Sequence, residues 1–101
     1  MNENELIGRQ LKLNVFINVC QELNKTLNCN MDFYLMSDLK ACECRFKTDK
    51  TNVAKLEMII DYINDDVDYF LTTDRNVIAY SKLNITEILK DIPYLHKIES
   101  D

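Results

Sequence analysis

Between Ala41 and Phe46 the residues alternate without a break: Cys42, Cys44 and Phe46 fall on one side, Ala41, Glu43 and Arg45 on the other. A period of two is the signature of an extended strand with one dry face and one wet face. Such a strand cannot stand alone, so it demands a partner and a cover. The preceding residues supply the partner. Met31, Phe33 and Leu35 alternate with Asp32, Tyr34 and Met36, and Ser37-Asp38 offers the turn of a β-hairpin.

The cover comes from the N-terminal side. Over residues 3–27, Leu6, Leu13, Phe16, Cys20, Leu23 and Leu27 recur at spacings of three, four and seven, and Val15 and Val19 widen the stripe. This is the pattern of one buried helix face. Leu11 and Ile17 lie off the stripe, so part of a second face of this helix is also a candidate for burial. Asn28 to Asn30 can end the helix, because Asn tolerates left-handed backbone.

A second helix is expected after Lys47–Lys50, capped by Asp49 or Thr51, with Val53, Leu56, Ile59, Ile60 and Ile63 facing inward. Val67–Thr72 is β-branched and aromatic and reads as a strand. Asp74-Arg-Asn then turns a hairpin into Val77–Leu83, although a short helix capped by Asp74 is the alternative. Asn84 and Glu87 form a capping box for a last helix, whose buried stripe is Ile85, Ile88, Leu89 and Ile92. Pro93 ends it or forces a bend, and residues 96–101 are a polar tail. The expected class is α+β, a small single domain over residues 1–101 in the approximate order α-β-β-α-β-β-α, with an antiparallel sheet packed against helices. A single Gly and a single Pro in 101 residues agree with a loop-poor fold and argue against a Gly-lined phosphate cradle.

Charge narrows the function. The formal net charge is −5, and residues 51–101 carry all of it, since the first fifty hold seven basic and seven acidic residues. An acidic half repels phosphates, so direct nucleic-acid binding is not expected. It attracts basic partners, including proteins that themselves bind nucleic acid. No run approaches the length of a membrane span, and the acidic first residues lack the basic start of a signal peptide. The expectation is a cytoplasmic protein with reduced thiols. Heavy use of Asn, Ile, Lys, Asp and Tyr suggests an AT-rich coding sequence, as in many phages, large DNA viruses and low-GC bacteria.

Candidate chemistry is thin. Cys42-Glu-Cys44 puts two thiols on one face of a strand, whereas structural zinc needs spacings that let a turn wrap the ion. No metal and no cofactor is expected. His96 is the single histidine, and its place near the end of the chain makes it a poor general base. Asp61, Asp65, Asp66, Asp68 and Asp74 crowd the stretch from Leu56 to Leu83. Asp65 and Asp66 fall at the C-terminus of the expected second helix, where the macrodipole disfavours carboxylates. A small local cost kept in a dense acidic stretch points to a binding role.

The segment Val67 to Asn76 also resembles, over about a tenth of the chain, the late strand of PIN-type ribonucleases. There a Thr-Asp at the strand end helps build an acidic magnesium site. The resemblance implies Asp74 as the matching position and Asp68 as its neighbour. A PIN domain opens on a strand ending in Asp, whereas this chain opens on a helix. The alternative function is therefore a minimal or degenerate metal-dependent nuclease using Asp68, Asp74 and either Glu43 or Asp38.

The preferred expectation is a non-catalytic, acidic protein-binding domain of the inhibitor or immunity type. It would occupy a basic surface of a larger protein through Asp61, Asp65, Asp66, Asp68, Tyr69 and Asp74. A structural homodimer is the further alternative, paired through a free sheet edge or the extra apolar side of the first helix.

Overall fold

A computed structural model describes residues 2–36 and 40–94. The chain runs α1 (Glu3–Leu27), β1 (Asn30–Leu35), β2 (Ala41–Lys47), β3 (Asn52–Asp61), β4 (Asp66–Thr72), β5 (Val77–Tyr80) and α2 (Ile85–Lys90). The class is α+β. The five strands form an antiparallel meander in sequence order, β1-β2-β3-β4-β5.

Residues directly opposite in antiparallel strands share a face, so the register separates the two sides of the sheet. One inner row crosses all five strands: Phe33, Cys44, Leu56, Leu71 and Ile78. A second runs Leu35, Cys42, Met58, Tyr69 and Tyr80. Phe16, Cys20, Leu23 and Leu27 of α1 and Ile88 of α2 close this face, and all are buried. The Phe16 and Phe33 rings sit 6.3 Å apart, centre to centre. Tyr80 donates its hydroxyl proton to Asp91 just beyond α2, which ties β5 to the second helix.

The outer face is wet. Arg45 and Lys55 lie opposite one another, as do Glu43 and Glu57 in the next row. Two carboxylates facing each other repel, and Lys55 relieves this by reaching Glu57 at 3.2 Å and Glu43 at 3.6 Å. Arg45 adds a 2.9 Å bond to Glu43 and lies over the Tyr34 ring.

Local signals set the ends of the elements. Asn2 accepts from the Glu5 N–H at 2.8 Å and donates its amide to the Glu5 carboxylate, opening α1. Asn28 closes it in the left-handed region, at φ 53°. Asn84 accepts from the Glu87 N–H at 3.0 Å, as the capping-box pattern requires. The Met31–Phe46 hairpin and the strand over Val67–Thr72 are present as expected, and Val77–Leu83 is a strand only as far as Tyr80. The Ser37-Asp38 turn and the polar tail lie outside the described residues.

The expected second helix is a strand. Residues 53–61 form the centre of the sheet, paired with β2 on one side and β4 on the other. The same apolar residues satisfy both periods, but Leu56, Met58 and Ile60 alternate with Lys55, Glu57 and Ile59, and only the first set is buried. A central strand gains ladder bonds on both sides, which an isolated helix turn over this face would lack. The supposed cap is instead a tight turn: the Thr48 hydroxyl accepts from the N–H groups of Lys50 and Thr51, and the Thr48 N–H donates to the Thr51 carbonyl at 2.8 Å. The helix stripe also needs trimming, since Leu6 is 39 % and Val15 57 % exposed.

Leu56 is fully buried at the middle of the central strand. Leu56→Ala should therefore cost about 2–5 kcal/mol of unfolding free energy, measured as a lower urea midpoint with an unchanged slope.

Candidate functional site at the β3–β4 turn

Asp61 and Asp66 are the last paired residues of the β3–β4 hairpin, and Tyr62, Ile63, Asn64 and Asp65 span the gap. Without a glycine, this turn is shaped by side chains. One oxygen of Asp61 accepts from the N–H of Ile63 at 3.0 Å and of Asn64 at 3.3 Å. The other accepts from the Asn64 amide at 2.7 Å. The Asn64 amide bond above all, and then the two backbone bonds, hold the Asp61 carboxyl below its ordinary pKa of 3.8. Asp65 takes the left-handed position, at φ 54°, which Asp tolerates better than most residues.

The base of the turn leans on α1. The Arg9 guanidinium lies over the Tyr62 ring, 3.6 Å from its centre. Burial raises the Tyr62 pKa, and Arg9 opposes that rise. Lys12 approaches Asp65 at 3.8 Å across an exposed gap, a contact that water largely screens. A cleft of about 280 Å³ between helix and turn is lined by Glu5, Gly8, Arg9, Lys12, Tyr62 and Asp65.

The tip itself is bare. Ile63 is 95 % exposed, the most open of the large apolar side chains described. Asn64, Asp65 and Asp66 follow it, all exposed, and Asp68 stands exposed on the outer face of β4.

Of the six expected contact residues, the structure gathers Asp61, Asp65, Asp66 and Asp68 at this end. Asp74 is at the other end of β4, about 20 Å away along a strand of this length. It lines a cleft of about 440 Å³ with Arg45, Asn52, Lys55 and Thr72. Tyr69 points to the inner face opposite Met58 and Tyr80, and desolvation raises its pKa. Alternation along β4 therefore separates Tyr69 from its neighbour Asp68. The macrodipole argument for Asp65 and Asp66 lapses, because they follow a strand. Ile63, which the helical reading turned inward, is the residue that reading missed. Its place between Asp61 and Asn64, in a stretch equally fit for a hairpin turn, was the available signal.

The carboxylates of the nuclease alternative do not converge. Asp68 and Asp74 sit at opposite ends of β4, and Glu43 is engaged with Arg45 and Lys55 on β2 and β3. Asp38 and His96 lie outside the described residues. Among the described residues, no three His, Cys, Asp or Glu side chains gather as a metal-binding group. Cys20, Cys42 and Cys44 are buried free thiols and Cys29 is half-buried. A hydrogen bond with Cys44, and then burial, raises the Cys20 pKa. Burial first, then the neighbouring Cys44, pushes Cys42 up to about 12.

Compared with known protein families, with curated proteins and with solved structures, the chain matches none.

Two measurements check this geometry. The Asp61 carboxyl should titrate below 3.8 by carbon-detected NMR. Because its folded pKa is depressed, its contribution to stability should be present above that value and fade as pH falls through the folded midpoint; Asp61→Asn should remove that component of the acid limb. Native protein should expose Cys29 alone to a thiol reagent at pH 8, with Cys20, Cys42 and Cys44 modified at least tenfold more slowly until urea unfolds the chain.

Proposed function

We propose that the protein is a non-catalytic binding domain that docks its β3–β4 turn onto a basic surface of a larger protein. The observation that carries this reading is Ile63, 95 % exposed at the tip of a turn that Asp61 holds in shape. An apolar side chain held out in water contributes nothing to the fold. On a rigid turn it can enter a pocket with little further loss of conformational freedom.

Charge supports the same surface. Asp61, Asp65, Asp66 and Asp68 surround the tip, in a chain of net charge −5. Their field would speed encounter with a basic partner and repel phosphates. Ile63 would act as the buried anchor after contact, and the aspartates would form the polar rim. Occupying a surface is how an inhibitor or an immunity-type protein works. A partner that itself handles nucleic acid offers a basic surface of the required kind.

The test is capture from a lysate of the natural host, followed by kinetics with the purified partner. Native protein should retain a basic protein in a salt-sensitive manner. Ile63→Ala should raise the dissociation rate about tenfold, the range expected of an apolar anchor. Asp65→Lys with Asp66→Lys should slow association about tenfold at low salt, and Asp74→Lys should leave binding unchanged. Equal binding by the double reversal, or loss with Asp74→Lys instead, defeats the proposal.

A further inference from the structure

Helix α1 is apolar on two opposite sides. The side toward the sheet holds Phe16, Cys20, Leu23 and Leu27, and no residue before Phe16 is buried. The side away from the sheet carries Ile7, Leu11 and Val15 at a spacing of four, 47 %, 60 % and 57 % exposed. Asn4 and Asn18, both exposed, extend this line at either end.

Three features mark this outer side. First, between Asn4 and Asn18 it is free of charge, while Glu22 and Lys25, ion-paired with each other, follow farther along the helix. From Leu6 to Gln21 the only charged residues are Arg9 and Lys12, and both turn toward Tyr62 and Asp65. A helix face meant for water ordinarily carries Lys and Glu. Second, the chain's single glycine lies beside Ile7 and Leu11. Gly8 has no positive φ, and a Cβ placed there would meet nothing within 4 Å. Gly8 also lines the cleft toward Tyr62 and Asp65; on the outer side its missing side chain leaves room for a second backbone. Third, the line is a palindrome in spacing and type: Leu11 at its centre, Ile7 and Val15 four residues to either side, Asn4 and Asn18 seven to either side.

A twofold contact sets one patch against itself, which requires this self-complementary arrangement. We infer that α1 pairs antiparallel with α1 of a second copy about an axis at Leu11, so that Leu11 meets Leu11, Ile7 meets Val15 and Asn4 meets Asn18. Electrostatics favours the same face. Two copies of charge −5 repel, and this side presents none of that charge. Arg9 and Leu11 point about 160° apart on the helix, which leaves the acidic turns on the far sides of the pair, about two helix diameters (~20 Å) apart and beyond the screening length. The contact face is about 21 Å long and about 10 Å wide. That is about a quarter of the roughly 800 Å² per partner of tight complexes, so the pairing is weak and reversible.

Sedimentation of the full chain from about 1 to about 500 µM tests this. The mass should rise from one chain to two across that range. Leu11→Glu, which sets two like charges face to face on the axis, should hold the chain as a monomer with its circular dichroism unchanged. Gly8→Leu should weaken the pairing at least tenfold while leaving the monomer folded. Orientation is read by cross-linking. Leu11→Cys should form an intermolecular disulfide under mild oxidation, Ile7→Cys alone should not, and Ile7→Cys with Val15→Cys should. A native chain that stays monomeric at the highest concentration, as it would if a different protein covers this face, overturns the inference, and so does a Leu11→Glu variant that still pairs. Cross-linking by Ile7→Cys alone overturns the antiparallel axis. Asp65→Lys with Asp66→Lys should leave the mass unchanged, which separates this surface from the proposed docking turn.

Discussion

The structure depends on the burial of one sheet face by α1 together with α2. Leu56 sits at the middle of that contact, in the central strand, with Cys44 and Leu71 opposite it on either side. A five-stranded sheet has no other source of lateral order that distinguishes up from down: a slip of one residue would exchange the inner and outer sets. Here that exchange would bury the Glu43, Arg45, Lys55 and Glu57 group and expose the row from Phe33 to Ile78. The register follows from this asymmetry. The small volume of Cys42 and Cys44, in a core that also holds Phe46, Leu56, Met58, Ile60 and Leu71, leaves room for the helix carrying Phe16 and Cys20 to approach.

A chain with a single glycine has to turn corners by other means. Each described connection between strands does so with a side-chain oxygen. Thr48 accepts from Lys50 and Thr51, Asp61 from Ile63 and Asn64, and Thr73 from Arg75 and Asn76. These local bonds imitate a backbone turn, and they restrict the loop more than glycine would, since glycine leaves the unfolded chain its full freedom. The consequence bears on function. A turn fixed in this way can hold an apolar side chain in water without collapsing onto it, and Ile63 is held so.

Much of this was legible in the residues. The strict alternation of Ala41–Phe46 gave both the strand and its correct buried face. The Asn84 and Glu87 pair marked the last helix, and Asn28 marked the end of the first. What failed was the period of residues 53–63. Ile59 faces water from the outer side of β3 and Ile63 from the tip of the turn, and counting both as core is what produced a helical spacing. Apolar residues that serve no core defeat pattern reading, because periodicity assumes that every such residue is buried. The same error hid the site. The acidic cluster was visible as composition, and the expected strand over Val67–Thr72 already set Asp66 and Asp74 beyond its two ends, but the place of Ile63 at the tip of a turn followed only from knowing that β3 is a strand. Tyr69 parts from the acidic residues for a related reason: adjacency in sequence to Asp68 means opposite faces in a strand.

The surfaces that remain for partners follow from how charge is spent. On the outer face of the sheet, Lys55 is shared between Glu43 and Glu57, and Arg45 between Glu43 and Tyr34. Covering such a network would strip water from ions whose mutual attraction does not repay the loss, so the broadest open face is the least suited to docking. The edges are guarded in their own way. Asp32 on β1 is ion-paired with Lys47, and β5 is only four residues long. Among the described residues, the turn around Ile63, which is acidic, and the outer side of α1 between Asn4 and Asn18, which has no charge, carry apolar area without that desolvation cost. The first suits a partner of opposite charge, and the second suits a partner with the same face. Their difference in electrostatics, more than any likeness in shape, would keep the two proposed contacts apart.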